Sequence, residues 1–302
     1  MNQEERNFRS IYYEKVGFKS VEEKKSLEIL LKDKSLDLIK LKQFCVRFSV
    51  PQTYRCLLWK LLLGILPTKV QCHEFVTSQR KQEFNNLLQA LVFMKIVDER
   101  TPKSQVFLVM WLLQTNNLTF DYSNLQERDL FGFVPIAKCL NYFFDDDTDI
   151  YWIAKKFYEK IAKMKNDIPR LIEVTHCLIE KEDAEYYKIL KNNGIIDGLP
   201  LSKWFQCCLA GIIDENCIIK IWDKICGGSH KILAFLVTIT LLSLKHRIIK
   251  MNNASGVIDI LKNIPEDSAE IIVNKTIDLW QHYGSPLTVH EKPKSIFDAS
   301  FK

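Results

Sequence analysis

Glycine and proline, the residues that most often make turns, are scarce in this chain, with 10 glycines and 9 prolines among 302 residues. A protein of many β-strands needs a turn at the end of each strand, and glycine and proline supply much of that turn chemistry. Helical proteins need fewer such breaks. Hydrophobic residues make up 47% of the chain, which is ample for a packed core. The composition therefore favours an all-α fold.

The cysteines lack the spacing of a metal site or of a disulfide framework. Their number, nine, is odd, no CxxC pair occurs, and Cys207 is adjacent to Cys208. Several cysteines lie at apolar positions of helical patterns, where a free thiol behaves as a small hydrophobic group. We predict a reduced, intracellular protein that holds no metal.

Neither sign of charge dominates, and no apolar run is long enough to cross a membrane. The formal net charge is +5, and basic and acidic residues are interspersed, unlike the concentrated basic face of a nucleic-acid-binding protein. The most apolar run, Ile232–Leu244, is bounded by lysines and is shorter than the ~20 residues of a membrane span. Residues 1–15 are polar and lack the apolar core of a secretory signal. We expect a cytoplasmic protein that neither binds nucleic acid nor inserts into a membrane.

The segment from Trp204 to Leu242 predicts three consecutive helices. Trp204 and Phe205 open the first. The second carries apolar side chains at i, i+3, i+4 and i+7, namely Ile218, Ile221, Trp222 and Ile225. Gly227 and Gly228 end it, because glycine enters the left-handed conformation at little cost. The third helix covers Ile232–Leu244.

Helical patterns fill most of the remaining chain. They cover residues 6–18, 20–31, 35–48, 54–64, 74–97, 104–114, 129–144, 149–165, 169–190, 254–263 and 268–283. We predict an N-terminal helical extension over 1–29, a helical domain over 30–285 that forms one two-lobed unit, and a disordered tail over 286–302.

The few polar clusters do not form a recognisable catalytic or ligand site. Asp145, Asp147 and Asp149 match the first ligand positions of a calcium-binding loop, but Ile150 and Lys156 occupy positions that need glycine and glutamate. The run 227–231 lacks the spacing of a phosphate-binding loop. His176 and Cys177 are adjacent, so on a helix they point about 100° apart and make a poor catalytic pair. The sequence predicts no metal, no cofactor and no active site of its own.

Two separated signatures give the chain a family resemblance. Tyr54-Arg55-x-x-x-Trp59-x-x-Leu62-Leu63-Gly64 resembles the opening signature of the TBC-domain family of Rab GTPase-activating proteins. Trp204-Phe205, Trp222-Asp223 and Gly227-Gly228 resemble its closing signature, and Tyr151-Trp152-Ile153 resembles the aromatic motif between them. The resemblance covers about residues 30–285 and implies an all-α, two-lobed TBC domain.

The resemblance also implies where catalysis would occur and why it is expected to be absent. Active members insert an arginine from I-x-x-D-x-x-R and a glutamine from Y-x-Q into the GTPase, and an arginine finger accelerates hydrolysis by ~10³–10⁵. Here Arg100 matches the arginine, but Val97 replaces the aspartate and Met94 replaces the leading isoleucine. Residues 129–135 contain no Y-x-Q, and Gln126 has no tyrosine two positions earlier. We expect a protein that is not an enzyme, with Arg100 a degenerate finger or simply an exposed cation at a helix end.

Residues 6–18 and the ending NIPEDSAEIIVNKTIDLW are similar to one branch of that family, the small third subunits of the tuberous sclerosis complex. The resemblance implies binding to the hamartin coiled coil and, through it, to tuberin, which activates the GTPase Rheb and restrains TOR signalling. It also implies recruitment to lysosomal or vesicle membranes through these partners. An active Rab GTPase-activating protein that uses Arg100 and an adaptor that binds Rab GTPases without activating them stay open as alternatives.

A partner helix needs an exposed face to dock on. In the 74–97 helix, the core stripe consists of Phe84, Leu87, Leu88 and Leu91. The expected face lies opposite this core stripe and comprises Phe75, Gln79, Gln82, Asn86 and Phe93. Alternatively, Phe75 and Phe93 pack against the domain at the two ends of this helix.

Overall fold

A computed structural model describes residues 21–119 and 132–284, with side chains described from Lys25 onward. The predicted helix 6–18, the tail 286–302, Gln126 and residues 129–131 lie outside these ranges. Up to Ala162 the helices are α1 (Val21–Lys32), α2 (Leu38–Arg47), α3 (Gln52–Leu62), α4 (His73–Phe93), α5 (Lys103–Gln114), α6 (Phe133–Leu140) and α7 (Asp147–Ala162). Those that follow are α8 (Ile168–Glu182), α9 (Ala184–Asn192), α10 (Ile195–Gly198), α11 (Leu201–Gln206), α12 (Glu215–Cys226), α13 (Ile232–Ser243), α14 (Lys245–Ile248), α15 (Ala254–Leu261) and α16 (Glu266–His282).

The helices pack in two groups that share a hydrophobic core. Helices α4 to α7 pack on one another, and α8 to α16 form the second group around α13. Helix α12 contacts α2 and α3, and α3 contacts α7, so these three helices join the two groups. Within the described ranges the only β pairing consists of isolated bridges. The prediction of an all-α, two-lobed fold is confirmed.

Helix α13 forms the centre of the second group because its sequence offers no polar face. Residues Ile232–Thr238 are all buried, and Thr238 and Thr240 satisfy their hydroxyls by donating to backbone carbonyls one turn earlier, at 2.9 and 2.7 Å. Such self-contained hydrogen bonds allow a threonine to sit in a core without a desolvation penalty. None of the described helices is both long enough and apolar enough to cross a membrane.

Helices α8 and α13 lie side by side and run parallel. His230, just before α13, lies 3.6 Å from Asp167, just before α8. At their other ends Asp183, which follows α8, pairs with Lys245, which follows α13. Both N-termini therefore open on the same face of the protein.

Several predicted helix boundaries are wrong: the helix predicted over 74–97 ends at Phe93, and the one predicted over 129–144 ends at Leu140. The predicted helix 169–190 is broken at Asp183, which is extended (φ −157°) and caps α9 by accepting from the Tyr186 N–H at 3.0 Å. Trp204 and Phe205 do not open a helix but lie in the last turn of α11. The chain then turns through Cys208 and Leu209, both at positive φ, before α12 begins.

Candidate partner-binding surface

The two signature segments meet inside the protein as a buried ion pair. The Arg55 guanidinium of α3 binds the Asp223 carboxylate of α12, with Nε–Oδ1 at 3.1 Å and Nη2–Oδ2 at 3.2 Å. Trp59 Nε1 donates to the same carboxylate at 2.8 Å, and Nη2 of Arg55 also donates to the Val50 carbonyl at 2.6 Å. Arg55 is 7% exposed and Asp223 1%. These side chains are inaccessible to a GTPase and connect the two groups of helices.

The aromatic side chains around this ion pair have the same structural role. The rings of Trp59 and Phe157 stack with centroids 5.8 Å apart, and Phe157 lies 4.9 Å from Trp222. Trp222 satisfies its own N–H by donating to the Cys208 carbonyl at 3.0 Å. The signature residues thus form the core that positions the surface helices.

Arg100 lies on the surface, in the turn between α4 and α5. The Asp98 carboxylate organises this turn by accepting from the Arg100 N–H at 3.0 Å and from the Thr101 hydroxyl at 2.8 Å. These bonds, led by that of the hydroxyl, lower the pKa of Asp98. Val97, which takes the place of the family aspartate, is buried. The Asp98 carboxylate thus stabilises the turn that contains it.

The alternative interpretation of Arg100 as a cation at a helix C-terminus is wrong. Helix α4 ends at Phe93, and Arg100 comes immediately before α5, which begins at Lys103. A helix N-terminus carries the positive end of the dipole, so the helix gives this arginine no favourable field. Its guanidinium is exposed and makes no ion pair with any described residue.

The acid cluster 145–149 stabilises the start of α7. Asp146 accepts from the N–H groups of Thr148 and Asp149, at 2.7 and 3.3 Å, as the N-cap. Asp147 pairs with Lys103 at 2.9 Å, and Asp149 pairs with Lys60 at 2.8 Å. These carboxylates therefore serve as a helix cap and as links to neighbouring helices.

The inner face of α4 is held firmly against α5 and α7. Phe84 and Leu91 are buried. The Arg80 guanidinium lies over the Trp152 ring, 4.3 Å from its centroid, and Trp152 Nε1 donates to the Arg80 carbonyl at 3.2 Å. Gln114 of α5 donates to the Glu83 carboxylate and accepts from the Tyr151 hydroxyl. These contacts prevent α4 from rolling, so its outward face is defined.

The structure brings the five predicted partner-binding residues together on that outward face. All of them are exposed, Phe75 by 69% and Phe93 by 83%. The alternative that these phenylalanines pack at the helix ends is therefore wrong. Gln89, which sequence reasoning missed, is exposed as well and completes the row. We call this row, Phe75, Gln79, Gln82, Asn86, Gln89 and Phe93, the α4 stripe.

The α4 stripe has the spacing of a coiled-coil seam. Its members follow one another at alternating intervals of four and three residues, the 3.5-residue period that keeps one helix face in contact with a partner helix. Between Phe75 and Phe93 the stripe extends about 27 Å at 1.5 Å per residue. It contains no charged side chain, so its pairing would depend on amide hydrogen bonds and on the two rings.

An apolar cluster extends the stripe at its C-terminal end. Val92 is 52% exposed and Met94 is 41% exposed, on either side of Phe93. Lys95 then takes a positive φ of 55° and ends the helix. Three successive exposed apolar side chains are uncommon on a protein surface and mark sites of interaction. The signal in the sequence was the run Val92-Phe93-Met94 itself, of which only Phe93 belongs to the expected face.

Comparison with known proteins defines the class. The family model described as Rab-GTPase-TBC domain matches residues 130–249. The Ypt/Rab-GAP domain of Gyp1p superposes with a TM-score of 0.58 over 87% of this chain and 99% of that one, at 16% identity, which shows a shared fold. The fold is a TBC domain.

Sequence relatives place the chain within that class. It is 41% identical to TBC1 domain family member 7 of Homo sapiens over 94% of this chain and 97% of the relative. The corresponding protein of Danio rerio is 39% identical, again over 94% and 97%. The chain belongs to the TBC-domain family, in the branch of TBC1 domain family member 7.

Proposed function

We propose that this protein is a non-catalytic TBC scaffold subunit that binds the hamartin coiled coil. Through hamartin it would stabilise the hamartin–tuberin complex and support activation of the Rheb GTPase and negative regulation of TOR signalling. Recruitment to lysosomal or vesicle membranes would come through these partners. The observation that carries the proposal is the α4 stripe, a rigidly held helix face with coiled-coil spacing and exposed phenylalanines at both ends.

The α4 stripe suits a helical partner better than a globular one. A single straight row of uncharged side chains offers a narrow contact about 27 Å long, which matches the side of another helix. Phe75 and Phe93 would supply most of the affinity, because large rings that become buried at an interface dominate its energetics. The amides between them would set the register, because a misplaced helix would leave them without hydrogen-bond partners.

The Arg100 turn supports the absence of catalysis. Val97 occupies the position of the family aspartate and is buried. The Asp98 carboxylate accepts hydrogen bonds from the Arg100 N–H and the Thr101 hydroxyl within its own turn. Without a carboxylate to orient it, the Arg100 guanidinium is not pre-organised for the transition state of GTP hydrolysis. Pre-organised charge accounts for much of the effect of such a group.

Calorimetry and pull-down with the C-terminal coiled coil of hamartin test the proposal. The variants are Phe75→Asp and Gln82→Asp, which place a charge at the end and at the middle of the α4 stripe. Ile271→Asp is the matched control, because Ile271 is 53% exposed on α16, away from the stripe. We expect tight binding by the unaltered protein and by the control, and a loss of at least about tenfold in each stripe variant, since a buried unpaired charge costs more than ~1.4 kcal/mol.

The outcomes separate the function from the surface. Absence of binding by the unaltered protein would refute the scaffold function. Tight binding that neither stripe variant weakens would keep the function and refute the surface. Equal losses in the control and the stripe variants would also refute the surface.

An active Rab GTPase-activating protein is the second candidate, because Arg100 is exposed and free of ion pairs with the described residues. The test is single-turnover GTP hydrolysis by a panel of Rab GTPases, with Arg100→Ala compared with Lys81→Ala, an exposed cation on α4. An arginine finger would contribute ~10³–10⁵ in rate, which Arg100→Ala alone would remove. We expect no acceleration above the intrinsic rate. Binding of a Rab without acceleration would instead indicate an adaptor.

A further inference from the structure

Cationic side chains from separate parts of the chain meet around the turn that joins α12 to α13. The Lys160 ammonium, at the end of α7, donates to the Cys226 carbonyl at 2.9 Å. On the other side of the turn lies α2, so close that a Cβ on Gly227 would come within 3.1 Å of the Lys42 carbonyl. Lys42 and Lys160 therefore belong to two different helices at this turn, and burial and then the charge of Lys42 lower the pKa of Lys160.

The continuation of the same turn adds an imidazole and two further cations. His230 lies 3.6 Å from the Asp167 carboxylate, which brings the start of α13 against the start of α8. Lys231 follows directly, and Arg170 lies in the first turn of α8. Burial and then the charge of Arg170 lower the pKa of Lys231. We call the cations Lys42, Lys160, Arg170 and Lys231, together with the neighbouring His230 imidazole, the cationic cluster.

The cationic cluster is poorly neutralised by the protein itself. Among the described residues, Asp167 is the one carboxylate within 4.0 Å of a nitrogen of the cluster, at 3.6 Å from His230 Nε2, and its side chain is 55% exposed. Burial, partly opposed by Asp167, lowers the pKa of His230, and Lys231 and Lys160 lower it further. The dipoles of α8 and α13 add to this positive potential, since both N-termini open on this face. Cations held this close repel one another, and an anion between them would relieve that repulsion.

We propose that the cationic cluster is a binding site for a phosphomonoester, either free or as the headgroup of a phosphoinositide. A phosphate carries more than one negative charge near neutral pH and has several acceptor oxygens, so it can bind several cations at once. Arg170 supplies the planar fork that matches phosphate oxygens, and the lysines supply mobile charges around it. The site is separate from the α4 stripe, because none of its members lies on α4.

The test compares two variants of the full-length protein that lose the same charge. Arg170→Ala/Lys231→Ala removes two members of the cationic cluster. Lys188→Ala/Lys191→Ala removes two exposed lysines of α9. Inositol 1,4,5-trisphosphate is titrated by calorimetry as the free phosphomonoester. Flotation with phosphatidylcholine vesicles, with and without phosphatidylinositol 4,5-bisphosphate, tests the headgroup, and circular dichroism verifies that each variant is folded.

We expect the unaltered protein to bind the phosphomonoester. Arg170→Ala/Lys231→Ala should weaken this binding at least about tenfold, because it removes two charge-assisted contacts. Lys188→Ala/Lys191→Ala should leave the binding unchanged. Binding of the free trisphosphate alone would identify a soluble ligand, and binding of the vesicles alone a lipid headgroup. Absence of binding to both probes by the unaltered protein would overturn the proposal. Equal weakening in the two variants would overturn it too, because the attraction would then come from diffuse surface charge.

Discussion

Replacing Asp223 by asparagine should destabilise the protein by about 3–5 kcal/mol, because it leaves the Arg55 guanidinium buried without a counter-charge. The side chain of Arg55 is 8% exposed and that of Asp223 1%, so water cannot replace the lost carboxylate. Asparagine keeps the shape and an acceptor oxygen for Trp59, whose N–H lies 2.8 Å from Oδ1. The change therefore removes the charge together with one acceptor, because the amide nitrogen takes the place of the Oδ2 atom that accepts from Arg55 Nη2.

A surface ion pair of the same length provides the comparison. Lys262 and Asp259 are 3.1 Å apart, as are Nε of Arg55 and Oδ1 of Asp223, but their side chains are 65% and 68% exposed. Solvent screens such a pair, so Asp259→Asn should change the stability little. If Asp223→Asn proves too unstable to study, Trp59→Phe removes one donor from the same carboxylate and should give an intermediate loss.

Urea denaturation followed by circular dichroism measures these differences in the free energy of unfolding, provided that the dependence on urea concentration, the m-value, is the same in each variant. A double-mutant cycle with Arg55→Met provides the decisive number. Since the second change removes the orphaned charge, the double variant should be more stable than the sum of the single losses predicts, by about 0.5–3 kcal/mol. The reasoning is refuted if Asp223→Asn costs no more than Asp259→Asn, or if the two single losses simply add.

Three further predictions concern the scaffold. Gly132→Ala should destabilise strongly in thermal melts, because a Cβ there would lie 2.3 Å from the Gln206 carbonyl oxygen, a backbone atom; stability equal to the unaltered protein would contradict this packing. Asp146→Ala should cost about 1 kcal/mol at pH 7 as a lost N-cap. Burial raises the pKa of Asp146, but the N–H groups of the first helical turn outweigh it and lower the pKa overall. The N-cap therefore stabilises the protein at neutral pH. In acid denaturation this stabilisation should vanish as the pH falls through the depressed pKa. All nine cysteines are free, and of these Cys72 and Cys177 are exposed; these two should react rapidly with a thiol reagent in the native protein and the others only after unfolding, since burial raises the pKa of Cys207, for example, to about 11.

The parts of the fold that could be predicted are those where one helical period is unambiguous. Helix α13 matches its prediction within one residue because nothing in Ile232–Leu244 interrupts the apolar run. The break at Asp183 was missed because apolar residues continue on both sides of it, although an aspartate before Ala-Glu-Tyr is a recognisable N-cap. The positive φ of Leu209 has no signal in the sequence, since leucine has no preference for that conformation and is held there by burial.

The candidate sites could be predicted only in part, because exposure is a property of the whole fold. The face of α4 opposite its core stripe followed from periodicity. The exposure of Phe75 and Phe93 did not follow, since a phenylalanine at a helix end packs inward as readily as outward. The cationic cluster was invisible in the sequence, where its members are distributed between Lys42 and Lys231 among acidic residues. Only the packing of α2, α7, α8 and α13 brings them together.

The buried ion pair also determines how the family signatures should be interpreted. Arg55, Trp59, Trp222 and Asp223 carry the resemblance, yet they lie in the core and connect α3 to α12. A chain that must fold this way needs them whether or not it activates a GTPase, so their presence indicates the fold and leaves the activity open. The family resemblance implies that activity depends instead on surface residues such as Arg100, where the surrounding sequence departs from the family pattern. A chain can therefore keep the core signatures of a GTPase-activating domain whether or not it keeps a catalytic surface, and in the scaffold proposed above the α4 stripe would be the surface that binds.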